Sequence, residues 1–110
     1  MKALNKINPL YLRGTFMDEY FPTVVQAVPI DNLYVQVFFD HGKIVEYDVA
    51  NDLQMDLFEP LRDIHVFKEI CTVMNDTLAW DISGDRDSVN CIDIDPFTLY
   101  ELDPINNLIA

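Results

Sequence analysis

The residues in this chain best suited to chemistry are carboxylates. Asp81, Asp85 and Asp87 crowd one polar stretch, and Asp93 and Asp95 alternate with Ile92 and Ile94 a few positions later. Counted as a calcium loop from Asp81, oxygen-bearing side chains fall at positions one, three, five and seven. The template then needs glycine at six and glutamate at twelve, where Arg86 and Ile92 stand. Counting from Asp85 fails sooner, because Val89 occupies position five. A solvated loop with Arg86 pairing locally is therefore expected, with Asp85 and Asp87 kept as candidate metal ligands. Alternation places Asp93 and Asp95 on one face of an extended segment, where paired carboxylates can transfer protons or hold a metal. The simpler expectation is that Asp95 caps a following helix and Asp93 faces solvent or accepts backbone hydrogen bonds. A small metal- or ligand-binding protein, or an enzyme working through Asp93 and Asp95, is the alternative reading these residues keep open.

The other reactive side chains are few. His41 and His65 are the only histidines, and neither stands in a Glu-x-x-His or His-x-x-x-His pattern. Cys71 and Cys91 are too few for a disulfide framework and lack metal-ligand spacing, so two reduced thiols are expected. Cys71 is expected to follow the apolar side of a helix. No nucleophile elbow, phosphate loop or dinucleotide fingerprint occurs, so no catalytic residue is assigned and no cofactor is expected.

Charge narrows the partners. The 110 residues carry a net charge of −12, unevenly spread. Lys2, Lys6 and Arg13 precede the first acid, Asp18, so from Met17 onward four bases face nineteen acids, a balance of −15. Such a body lacks the basic footprint that phosphate neutralisation needs, which argues against nucleic acid. It suits solubility or a basic protein partner. No run approaches the roughly 20 apolar residues of a membrane span, and the N-terminus has no apolar core of a secretion signal, so a cytoplasmic protein with no membrane partner is expected.

The scaffold for these residues is organised around Leu33–Val49. Leu33, Val35, Val37 and Phe39 alternate with polar or outward positions, as do Val45, Tyr47 and Val49, which is the period of half-buried strands. A two-residue loop at His41-Gly42 would set Val37 opposite Glu46. A three-residue loop, Asp40-His41-Gly42, sets Val37 opposite Val45 and Val35 opposite Tyr47, with glycine at the left-handed position. Register must keep the apolar face together, so the three-residue loop is expected.

Upstream, Thr23–Val28 reads as a strand closed by Pro29, with a turn at Pro29-Ile30-Asp31-Asn32. Downstream, Asn51–Glu59 is a crossover. Asp63 then caps a helix from Ile64 to Ile70 or Cys71, whose Ile64, Phe67 and Cys71 would cover the sheet. Thr72–Met74 and Thr77–Trp80 form a second hairpin about Asn75-Asp76, with Trp80 half-buried. Residues 82–90 form a loop, Cys91–Ile94 is short and extended, and Asp95-Pro96 opens a last helical turn. The chain is thus read as α+β: a three-stranded antiparallel meander, a short helix, a second β-hairpin and a short C-terminal helix. Residues 1–21 are an N-terminal extension, 22–102 one domain and 103–110 a tail that is loose or lies as a strap. The extension's aromatic residues would dock on the sheet or on a second copy.

In order and spacing these pieces resemble the small bacterial proteins grouped as domain of unknown function 2442. The resemblance runs over residues 23–101. It is carried by the valine-rich strand, by Phe39 with Gly42, by Phe58-Glu59-Pro60-Leu61 with Asp63 and Phe67, by Trp80, and by Asp93, Pro96, Leu99 and Tyr100. Where the family turn has aspartate before glycine this chain has His41, residues 82–90 are an insertion, and the first twenty residues have no counterpart. The resemblance implies a small α+β domain without established activity. It also implies membership of two-gene, toxin–antitoxin-type pairs, some of whose members carry a DNA-binding helical domain not expected in this chain. The expected function is an acidic, non-enzymatic protein-interaction domain, antitoxin-like, with Tyr34 and Phe38 on the outer sheet face as its interaction residues. A self-associating structural protein, hence a homo-oligomer, is the other alternative.

Overall fold

The computed structural model describes residues 20–106. Two three-stranded antiparallel sheets make up the fold, ordered β1-β2-β3 and β4-β5-β6. The first comprises β1 (Val24–Ile30), β2 (Tyr34–Phe39) and β3 (Ile44–Asp48), and the second β4 (Cys71–Met74), β5 (Thr77–Trp80) and β6 (Ile92–Asp93). Two short helices, α1 (Ile64–Glu69) and α2 (Pro96–Tyr100), complete the α+β architecture.

The central hairpin follows its side-chain pattern. Val37 faces Val45 and Val35 faces Tyr47. Phe39 and Lys43 close the ladder around Asp40-His41-Gly42, with Gly42 at φ 105°. Val35, Val37 and Val45 are completely buried, and Tyr47 packs at the edge of the same core.

The first turn differs from its reading. β1 does not close at Pro29 but runs on to Ile30, with Pro29 paired to Val35. Proline is tolerated because β1 is an edge strand of its sheet, where a missing donor breaks no second ladder. The turn is instead Asp31–Leu33, with Asn32 and Leu33 both left-handed at φ 66° and 65°. Leu33 therefore leaves the strand. Its backbone conformation is costly for leucine, and packing of its side chain against the core offsets that cost.

The crossover is two stretches of 3₁₀ helix, Asp52–Gln54 and Asp56–Arg62, which drop Leu53, Phe58 and Leu61 into the core. α1 ends at Glu69, one residue short of the expected range, and Cys71 begins β4 rather than extending the helix. Six residues are too few for a long apolar stripe: Phe67 is buried, whereas Ile64 is exposed, and Val66 and Ile70 supply the remaining core contacts. Asp63 caps α1 as its position suggests, accepting the His65 amide proton.

The second hairpin turns on Asn75 and Asp76, both at positive φ, the geometry of the tight turn that matches strand twist. The segment read only as extended after the loop becomes β6, pairing Ile92 with Trp80 and Asp93 with Ala79. All four residues of β5 are buried, because it is the middle strand with packing on both faces. Trp80 is consequently fully buried rather than half-buried. Its indole donates to the Phe67 carbonyl at 3.2 Å, and its ring meets those of Phe58 and Phe67 at 6.2 and 5.6 Å. The two sheets meet where the Val24 amide donates to the Asp76 carbonyl.

Candidate interaction surface

Pairing in the first sheet defines two faces. Residues opposite one another share a face, so Phe38 lies beside Ile44, Gln36 beside Glu46 and Tyr34 beside Asp48. On the other flank Val28 lies beside Gln36 and Ile30 beside Tyr34. A hydrogen bond from Gln36 Nε2 to Glu46 Oε2, at 3.3 Å, spans this outer face. Tyr34 and Phe38 thus stand where the alternation puts them, half-buried and outside the hydrophobic core, in an apolar patch bordered by Glu46 and Asp48.

At the hairpin end of this sheet lies a cluster that the sequence does not announce. The Tyr20 ring stacks on His41 with centroids 4.5 Å apart and planes 9° apart, and its hydroxyl donates to Asp40 Oδ1 at 2.6 Å. Burial, then the hydrogen bond to Asp40, pushes the Tyr20 phenol up to about 12. His41 Nε2 shares a hydrogen bond with the Tyr100 hydroxyl at 3.2 Å, and Lys43 donates to the Tyr100 carbonyl while its ammonium sits 4.3 Å from that ring's centre. The cluster draws on residues up to 80 positions apart, and no local pattern links them. Its polar groups pair with one another, which makes it a clasp between the segment ahead of β1, the hairpin turn and α2.

The carboxylate candidates do not converge. Asp85 accepts from the Ser83 hydroxyl. Asp87 accepts from the Val89 amide and the Asn90 side chain. Asp93 accepts from Asn75 Nδ2 at 3.0 Å, and Asp95 caps α2 by accepting the Phe97 amide proton at 2.9 Å. Asp81 folds the loop, taking the amide protons of Gly84 and Arg86. Among the described residues no group of three or more His, Cys, Asp or Glu side chains is placed to hold a metal ion.

The thiols are poor nucleophiles. Burial pushes the Cys71 thiol up to about 12, and burial together with the nearby Asp93 carboxylate raises that of Cys91, so both stay protonated at neutral pH. His65 is exposed on α1. A shallow apolar groove lies between the 3₁₀ crossover and the 82–90 loop, lined by Leu57, Pro60, Ile82, Asn90, Cys91 and Ile92.

The basic side chains complete the electrostatic picture. Lys43 donates to the Tyr100 carbonyl at 2.6 Å, Arg62 to the Leu53 and Met55 carbonyls, and Arg86 to the Val73 carbonyl and the Thr72 hydroxyl. These three cations serve as clips on backbone oxygens. Most of the carboxylates are exposed. Comparison with known proteins finds no match: no family model, no curated protein and no solved structure aligns with this chain. No helix among the described residues is long and apolar enough to cross a membrane.

Proposed function

We propose that this chain is an acidic, non-enzymatic protein-interaction domain that meets a basic protein, in the manner of an antitoxin-like member of a two-gene pair. The observation that carries this reading is where the hydrogen bonds of the cations go. Lys43, Arg62 and Arg86 each donate to a backbone carbonyl while most of the carboxylates are exposed and far outnumber them, so the surface offered to a partner is predominantly acidic. The outer face of the first sheet supplies the other ingredient, an apolar centre at Tyr34 and Phe38 with acidic neighbours. Interfaces of this kind combine a water-excluding core with a charged rim that steers approach. The resemblance to domain of unknown function 2442, with its paired-gene arrangement, supports the same reading.

The test is affinity capture with the full chain as bait, followed by reconstitution with the purified captured protein. A basic partner whose binding is weakened by Tyr34→Ser/Phe38→Ser, with the thermal midpoint retained, supports the proposal. An acidic partner, or binding indifferent to that pair, contradicts it.

A further inference from the structure

The outer face of the first sheet raises a question of its own: what covers it when no partner is bound. Five apolar side chains, Val28, Ile30, Tyr34, Phe38 and Ile44, share that face, and none belongs to the hydrophobic core or packs against it. On one flank they are bordered by Glu46 and Asp48. We propose that this face is the seat of the chain's own N-terminal segment, residues 1–16, docked within the same molecule.

Three observations favour that occupant. The first is charge. Residues 1–17 hold Lys2, Lys6 and Arg13 and no acid, which makes this the one stretch of the chain opposite in sign to the acidic body. The second is composition. Leu10, Tyr11, Leu12 and Phe16 sit around Arg13, so the segment carries apolar groups for the patch and a cation for its rim.

The third is reach. The Tyr20 hydroxyl is held on Asp40, two residues beyond Phe38, so the described chain begins at the hairpin end of the sheet. From Phe38 to Tyr34 the face is about 13 Å long, at roughly 3.3 Å per strand residue. Residues 10–16 span up to about 23 Å when extended, and three residues separate them from Tyr20. The tether covers the face with length to spare. A short covalent link also makes docking in the same molecule an encounter at high effective concentration, ahead of a second copy at ordinary dilution.

A basic, apolar segment seated there resembles the partner proposed above. The docking shares its face with the proposed function, but it concerns the chain alone, so either can fail without the other.

The experiment is carbodiimide coupling of lysine to carboxylate on the full-length wild-type protein, with linked peptides identified by mass. An equal mixture of ¹⁴N and ¹⁵N chains separates links within a molecule from links between copies. The expected result is coupling of Lys2 or Lys6 to Glu46 or Asp48 within single molecules, reduced at least fivefold in the full-length Tyr34→Ser/Phe38→Ser variant. Links found as often between differently labelled chains as between like-labelled ones would overturn the proposal in favour of a second copy. Coupling of these lysines chiefly to Asp85 and Asp87, or to no residue of the face, would overturn it outright. A companion measurement uses Leu10→Asp/Leu12→Asp in the full chain, both positions lying outside the described fold. An apolar dye should bind this variant several-fold more strongly than wild type, and unchanged dye binding would also count against docking.

Discussion

The side-chain oxygen of Asn106 accepts the Ile44 amide proton at 3.0 Å across 62 positions of sequence. The same side chain donates to the Gly42 carbonyl at 2.9 Å, and the next residue back, Ile105, donates its amide to the Ile44 carbonyl at 2.8 Å. β3 is an edge strand, and an open edge invites pairing with other chains. Residues 105 and 106 occupy that edge and strap it. Asn106→Ala removes two hydrogen bonds and uncovers the Ile44 amide. It is expected to destabilise the fold by about 1–2 kcal/mol in urea unfolding. It should also raise the tendency to self-associate, read by light scattering.

Gly42 is the residue on which the hairpin register turns. At φ 105° it holds a conformation that side chains rarely adopt, although open space surrounds the position where a Cβ would stand. The cost of substitution is therefore one of backbone strain alone. Gly42→Val is expected to lose at least about 1 kcal/mol, and Gly42→Asn less, because asparagine tolerates positive φ. Denaturant midpoints of the two variants against wild type measure the difference.

Tyr20 gives the clasp a pH signature. Its phenol is raised to about 12 in the fold from an ordinary 10.0. A group whose folded value is raised stabilises the fold fully below its unfolded value, and that contribution is lost as pH climbs through the folded one. The clasp should therefore hold below about pH 10 and loosen between about pH 10 and 12. Tyrosinate absorbance is expected to show a late-titrating component that Tyr20→Phe removes. Tyr47 is likewise raised, by burial and by its hydrogen bond to Asp52, and Tyr47→Phe in the Tyr20→Phe background separates its contribution.

Much of this fold was legible because its signals are local. Period-two alternation and one glycine determine the β2–β3 register, and Asp63 and Asp95 announce the helices that they cap. The misreadings came where tertiary context overrides local chemistry. Pro29 looks like a strand end but lies on an edge that tolerates it. Cys71 continues a helical spacing yet starts a strand paired with Trp80. β6 is two residues long, too short to register as alternation, and exists because β5 offers it a ladder. The Tyr20–His41–Tyr100 clasp could not be read at all, since nothing in the sequence tells residues 59 and 80 positions apart that they will share one corner. The outer face could be read, because Tyr34 and Phe38 follow directly from the alternation that buries Val35 and Val37.

The most direct test of the acidic interaction domain is the association rate with its purified captured partner at low and physiological ionic strength. Charge-steered encounter predicts a rate that falls steeply as salt rises, while affinity falls less because the apolar centre at Tyr34 and Phe38 is not screened. Adding Glu46→Gln and Asp48→Asn should flatten the salt dependence without changing the fold. An association rate unchanged between the two salt conditions would contradict the account.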